Sequence, residues 1–412
     1  MTLTINRERF LSDLDALAGI GKTADGGVTR LAFSEEDIQG RAWFRQKVHE
    51  AGLVYNEDSA GNQSAILCSS NPNAKTLLAG SHLDTVTNGG RFDGALGVLS
   101  ALESLRAIKE AELDLPVHLE AISFTDEEGT MLGLFGSQAF TGQLKPDMLA
   151  YPRGGADALT TALDRLGLTP EGVMNAKRRE DGLAGFVEVH VEQGTRLEEA
   201  DLDIGVVTSI VGIRSLWLTF TGQAAHAGTT PMHKRRDALV GASHFVLQGR
   251  ELAMRDFHPG VMTCGNILPK PGAFNIVPAE VALAVEFRHG TEDLLNTMHT
   301  ALCDLAQEVA NKHELQLTIH EATSCRAAPT SERVVQAIES AAESLNLSHR
   351  RMMSFAGHDT QSLTTVTPSA MLFVPSVAGI SHNPRELTLP EQCVNGANTL
   401  LNTLVVLCRD IE

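Results

Sequence analysis

Apolar positions along the chain follow two rhythms. The first is the short continuous run closed off by turn residues, the pattern of a strand buried on both faces of a parallel sheet. Ala65–Cys68, Thr76–Ser81, Val117–Phe124 and Ala370–Val374 follow it. The second is the helical stripe, clearest in Gly94–Glu110, where Leu96, Leu99, Leu102, Leu105 and Ile108 share one face. Further helices are expected over Arg7–Gly19, Glu35–Ala51, Glu332–Leu345 and Glu391–Arg409, with Asn56–Gln63 as a turn into the sheet. In Phe186–Glu192, Val187, Val189 and Val191 alternate with Glu188, His190 and Glu192, which makes a strand with one polar face. Residues 145–182 are polar and interrupted by Gly and Pro, so only short helices are expected there.

From Ile213 the order changes. Strand Ile213–Thr221, helix Arg236–Arg255, strands Val261–Leu268 and Val281–Arg288, helix Glu292–Lys312 and strand Gln316–Glu321 spell βαββαβ, the ferredoxin-like unit. After Ala327 the earlier rhythm resumes. The simplest account is one α/β domain, residues 1–212 and 327–412, interrupted by an inserted βαββαβ domain at 213–326.

Composition narrows the class of protein. A chain of 412 residues is too long for one ordinary core, in keeping with two domains. A net charge of -18 argues against nucleic acid or an anionic membrane surface as partner. Cys68, Cys264, Cys303, Cys325, Cys393 and Cys408 are scattered without a CxxC spacing, as in proteins of a reducing compartment. No basic segment leading into an apolar one opens the chain, and no apolar run reaches the roughly 18 residues of a membrane span. The expected location is the cytoplasm.

Candidate chemistry gathers where strands end, the usual place for sites in open α/β sheets. After Thr76–Ser81 come His82 and Asp84, then a Gly-rich loop and Asp93 at the start of a helix. His82 and Asp93 are able to ligate a metal, with Asp84 spaced to orient the His82 ring from behind. The plain alternative makes Asp93 a helix N-cap and His82 a loop histidine. Asp126, Glu127 and Glu128 follow the next strand, either as a solvated acidic turn or as a cation site. In the second case one carboxylate binds a metal while its neighbour acts as general base on water. His190 on its strand and His382 in the loop Gly379–Pro384 complete a donor mix of histidines and carboxylates suited to zinc or a similar borderline ion.

The segments GSHLDTVTNGGRFDGALG, FTDEEGTMLGLFGSQAF, VEVHVEQG, GQAAHAGTTPM, GAFNIVPAEV, EFRH, GHD and ISHNPREL occur in this order along nearly the whole chain. In this they resemble the hydantoinase/carbamoylase-type amidases. That group spans N-carbamoyl-L-amino acid hydrolases, allantoate amidohydrolases and β-ureidopropionases, within the aminoacylase/carboxypeptidase superfamily. The resemblance implies a zinc-exopeptidase-like catalytic domain and an inserted domain that serves as lid and homodimer interface. It implies two divalent ions, zinc or else manganese or cobalt. His82, Asp93 and His190 would hold one; Asp93, Glu128 and His382 would hold the other. Glu127 matches the general base and Asp84 the carboxylate behind His82. Gln193, Asn275, Arg288, Gly357, His358 and Gly379 match substrate-binding positions. His226 would polarise the scissile carbonyl, in its own chain's site or across the dimer.

The expected reaction is cleavage of the ureido C–N bond of an N-carbamoyl-L-amino acid, a small-molecule substrate. Allantoate and β-ureidopropionate are alternatives within the same chemistry. A peptidase or N-acyl amino acid deacylase on the same scaffold is a more distant one. A metal-binding or scaffold protein without activity would be expected to lack a ligand or the base, and Glu127 and Glu128 are both present.

Overall fold

In the computed structural model, which describes residues 2–409, the continuous apolar runs become the middle of one sheet. The chain separates into two compact units. The first holds residues up to Thr208, Thr330–Met352 and the chain from Ala356 on; the second holds Ser209–Pro329 with Met353–Phe355.

In the first unit the strands lie in the order Val54–Glu57, Gln63–Leu67, His118–Phe124, Thr76–His82, Leu183–Val191, Ser369–Val374 and Ile204–Ile210. The four from His118–Phe124 to Ser369–Val374 are mutually parallel, and the neighbours on either side run antiparallel to them. Thr76–His82, Leu183–Val191 and Ser369–Val374 are buried at every residue, as strands covered on both faces must be. Helix Ala95–Glu110 supplies the crossover between parallel neighbours and is buried from Ala95 through Ile108. Its leucines join Val187, Val189, Leu372, Leu400 and Leu404 in the main core. The strand ends all open on one edge of the sheet, so the loops after His82, Phe124, Val191 and Val374 come together.

Three local expectations change. Leu183–Val191 begins earlier than the alternation indicated, and its polar residues are buried rather than facing water. Glu188 can be buried because its oxygens accept from Ser81 Oγ (2.7 Å), Thr360 N (2.9 Å) and Thr360 Oγ1 (2.7 Å). The expected turn Asn56–Gln63 is partly strand, since Val54–Glu57 pairs with Gln63–Leu67; the turn is held by Asp58, which accepts from Ala60 N and Asn62 N. Strands Ile204–Ile210 and His349–Ser354 were not expected, and they pair with each other rather than with a sequence neighbour. Within 145–182 the short helices Pro146–Ala150, Ala156–Arg165 and Pro170–Met174 form, and Leu159, Leu163 and Val173 pack with Phe33 and Phe135.

The second unit has the βαββαβ order. Its four-stranded sheet runs Gln316–Cys325, Gly212–Thr221, Glu280–His289, Val261–Lys270, antiparallel throughout. Helices Ala238–Asp256 and Glu292–Lys312 share a core with one face of it, joining Phe245 and Met298 to Leu218, Phe220, Val285 and Phe287. A separate two-stranded ladder pairs Ala225–His226 with Ile276–Val277. No described helix is long and apolar enough to cross a membrane.

Candidate metal centre

His82 is the last residue of its strand, and its ring is held from two sides. Nδ1 lies 3.0 Å from the backbone carbonyl of Asp84 and 3.7 Å from its carboxylate. The backbone rather than the carboxylate therefore makes the hydrogen bond behind the ring, a correction to the simple picture from spacing. The Asp84 carboxylate instead accepts from Glu127 N (3.3 Å) and Glu128 N (3.1 Å), tying the loop after one strand to the loop after the next. On the other side, a Cβ at Gly94 would lie 2.4 Å from His82 Cε1, and φ there is 62°. Only glycine suits that position.

Asp93 is not the helix cap. Gly94 occupies that position and no side chain caps the helix. The Asp93 carboxylate faces the other strand ends. Oδ1 is 3.0 Å from His190 Nε2 and 3.5 Å from His82 Nε2, and Oδ2 is 3.5 Å from His382 Nε2. Glu128 Oε1 is 3.3 Å from the same His382 nitrogen. Potential ligand atoms of His82, Asp93 and His190, and of Asp93, Glu128 and His382, each lie within 4.8 Å of one another. The two groups share Asp93. Glu127 belongs to neither and sits beside them, its Oε2 3.5 Å from His82 Nε2.

Local chain geometry explains the projection of these groups. Asp126 has φ of 55° and turns its carboxylate back to accept from the N–H groups of Thr130, Met131 and Leu132, which leaves Glu127 and Glu128 to point into the cluster. His190 Nδ1 lies 2.9 Å from the carbonyl of Val191, so its Nε2 is the nitrogen that meets Asp93. The His358 ring lies 4.5 Å from the His190 ring, tilted 59° to it, and burial carries its pKa well below the imidazole range.

The charges are strongly coupled. Burial would raise the Asp93 pKa, but His190 and His82 hold it well below the carboxylate range. Burial would lower the His82 pKa, but Glu127, Asp93 and Asp84 carry it well above. Burial, then Asp359, Glu128 and Asp84, pushes Glu127 well above the carboxylate range. Hydrogen bonding to Glu128 pushes His382 up to about 9. Crowded acids whose nearest positive partners are imidazoles are the electrostatic situation a divalent cation relieves, and the donor set of nitrogens and oxygens fits one.

Other expected site residues divide between the units. In the first, Gln193 donates from Nε2 to Asp93 Oδ2 (2.8 Å), and Gly379, at φ 64°, passes so close to Thr195 that a Cβ would meet its Cγ2 at 2.8 Å. Gly357 and His358 lead into helix Asp359–Leu363. In the second, His226 Nδ1 accepts from Gly228 N (3.1 Å) and Thr229 N (3.2 Å), and Ala227 N donates to the Asn275 carbonyl (3.0 Å). Arg288 lies apart from that pair, in the four-stranded sheet. Its Nε and Nη2 donate to Glu286 Oε1 (2.9 and 2.8 Å) and its Nη1 to the Phe355 carbonyl (2.6 Å).

Glu386 was not singled out from the sequence. Its Oε1 accepts from Phe92 N (3.0 Å) and Asp93 N (3.1 Å), and its Oε2 lies 2.9 Å from Ser381 Oγ. The signal available was an acid four residues after His382 in the same loop.

Histidines and carboxylates at the carboxyl ends of parallel strands, in two groups joined by one aspartate, define a metal-dependent hydrolase of zinc-exopeptidase type. The chain belongs to peptidase family M20/M25/M40, which it matches over residues 78–405. It is 36% identical over 404 residues, 97% of this chain and 98% of the relative, to N-carbamoyl-L-amino acid amidohydrolase of Geobacillus stearothermophilus. It is 34% identical to allantoate amidohydrolase of Bacillus subtilis (strain 168), covering 95% of each. The crystal structure of an amidase of the hydantoinase/carbamoylase family from Burkholderia multivorans superposes with a TM-score of 0.91 at 34% identity, covering 98% of both chains. The resemblance drawn from the motifs is borne out.

Proposed function

We propose that the chain is a dinuclear amidohydrolase that cleaves the ureido C–N bond of an N-carbamoyl-L-amino acid, releasing the amino acid, carbon dioxide and ammonia. The observation that carries this reading is Asp93, whose two oxygens face two ligand groups with Glu127 alongside, in a chain similar over nearly its whole length to enzymes named for that reaction. Two ions, zinc or else manganese or cobalt, would be held by His82, Asp93 and His190 and by Asp93, Glu128 and His382, and when bound would polarise the carbonyl and acidify water. Glu127, a carboxylate outside both ligand groups, takes the proton of the attacking water and returns it to the leaving nitrogen. His226 donates from Nε2 to the developing oxyanion; the two backbone donors on its Nδ1 favour the tautomer that carries the proton there. Gln193, His358, Gly357 and Gly379 contribute to the substrate cleft beside the metals, and Asn275 contributes from the inserted unit.

The inserted unit serves as lid and homodimer interface. Its edge strand Val261–Lys270 is largely exposed, with Ile267 and Leu268 in solvent, as are Leu247 and Met254 of helix Ala238–Asp256. Such an open apolar edge is a template for pairing with a second copy. The cytoplasm is the location in keeping with six cysteines scattered without a CxxC spacing.

A second reading, allantoate as substrate, is favoured by the similarity to the Bacillus subtilis allantoate amidohydrolase. Ammonia release from N-carbamoyl-L-amino acids, allantoate and β-ureidopropionate, measured side by side with zinc, manganese or cobalt supplied, decides between them. Faster cleavage of dipeptides or N-acyl amino acids than of any ureido compound would overturn both readings.

Arg288 is assigned to the substrate carboxylate, because a guanidinium fork can bind both of its oxygens. A charge-assisted contact of this kind is worth about 1.5–3 kcal/mol, roughly tenfold to over a hundredfold in kcat/KM. Arg288→Ala should raise KM mainly, with Arg288→Lys rescuing only part. Loss of equal size on the carboxamide of the substrate, which carries no negative charge, would remove the assignment.

A further inference from the structure

Helix Ala95–Glu110 starts without a side-chain cap of its own, since Gly94 has none to offer and Asp93 is turned toward His190 and His82. Its first N–H groups bond instead to the turn before it, Ala95 N to the Asp93 carbonyl (2.6 Å) and Leu96 N to the Phe92 carbonyl (2.9 Å). Glu386 holds that turn from far along the chain, accepting from Phe92 N and Asp93 N through a single oxygen. The other oxygen meets Ser381 Oγ at 2.9 Å, and that hydroxyl is also 2.9 Å from Asp93 Oδ2. The same side chain therefore holds the backbone of Asp93 and shares with the Asp93 carboxylate the single proton of the Ser381 hydroxyl. It also anchors the loop that carries His382: Glu386 N donates to the Asn383 carbonyl at 3.0 Å, closing the turn that follows that histidine.

The fit is close. Glu386 is buried, and a Cβ at Gly90 would lie 2.0 Å from its carboxyl carbon, so the Gly-rich loop passes directly against it. Gly90 keeps that path open because it has no side chain.

We propose that Glu386 is a positioning residue that couples the two ligand groups, locking Asp93 in the orientation that lets one carboxylate serve both. This rests on the dinuclear reading above. Partners that orient metal ligands are typically worth 10–100-fold in metal affinity. A structural tie with no such role would change only the stability of the chain.

The test compares the full-length protein with Glu386→Ala and Glu386→Gln. Zinc and manganese binding is followed by calorimetry, and melting temperature is measured with and without metal. The expected result is two ions per chain for the unsubstituted protein, and about 10–100-fold weaker binding of at least one ion in Glu386→Ala. The metal-induced rise in Tm should shrink correspondingly. Glu386→Gln, which keeps an oxygen for the two N–H groups and the shape of the side chain, should recover part of the loss and remains measurable where the alanine variant does not fold. Metal affinities in the foldable variants within about twofold of the unsubstituted protein, with Tm lowered equally with and without metal, would make Glu386 a structural tie only and overturn the inference. An unsubstituted protein that binds no divalent ion would instead overturn the dinuclear reading, and the inference with it.

Discussion

Glu127→Gln and Glu128→Gln are expected to fail in different ways. The first should retain both metals and lose roughly 10²–10⁴ in kcat, the usual contribution of a general base. The second should lose affinity for the ion shared with His382, because Glu128 Oε1 sits 3.3 Å from that ring while Glu127 stands outside both ligand groups. Both changes preserve side-chain shape and remove one charge, so the packing around Asp84, which receives the two backbone N–H groups, is left in place. Metal content of the purified variants, read beside kcat, separates the two. Depletion in the Glu127 variant and full occupancy in the Glu128 variant would reverse the assignment.

Removal of metal should have the larger effect. Chelation is expected to reduce activity to background, with recovery complete at two equivalents per chain, one for each group built on Asp93. Asp93→Ala should not recover at any added metal concentration, because it deletes a ligand from both groups at once. Within the apo protein the same substitution removes the carboxylate that faces His82, His190 and His382. Titration of the chelated enzyme distinguishes the possibilities. Full activity at one tightly bound equivalent would rule out a dinuclear centre.

The site was largely legible because its residues follow apolar runs. His82 comes straight after Thr76–Ser81, Glu127 and Glu128 after Val117–Phe124, and His190 takes a polar position in an alternation with valines. A polar group there has to answer to something other than the core. Asp84 was legible in identity and less so in contact, since spacing places the residue near His82 but does not say whether carbonyl or carboxylate turns inward. Glu386 was hidden for a different reason: its work is to hold the backbone of Asp93, 293 residues earlier, a pairing that no local pattern records. The pairing of Arg288 with Glu286 could have been read, because residues two apart on a strand share a face. Strand His349–Ser354 could not, because it carries two arginines and no alternation and is set by its neighbour Ile204–Ile210.

The position of strand Ser369–Val374 has a consequence in time. It lies between Leu183–Val191 and Ile204–Ile210, both of which leave the ribosome well before it. Until it arrives, Leu183–Val191 presents an open, largely apolar edge, the feature that makes incomplete sheets prone to aggregate. Ser209–Pro329, by contrast, is nearly self-sufficient in sequence and can close its own four-stranded sheet while the rest waits. His82, Asp93 and His190 are synthesised long before His382 and Glu386. During its birth the protein thus passes through a stage in which one half of its centre exists and the other is still being translated.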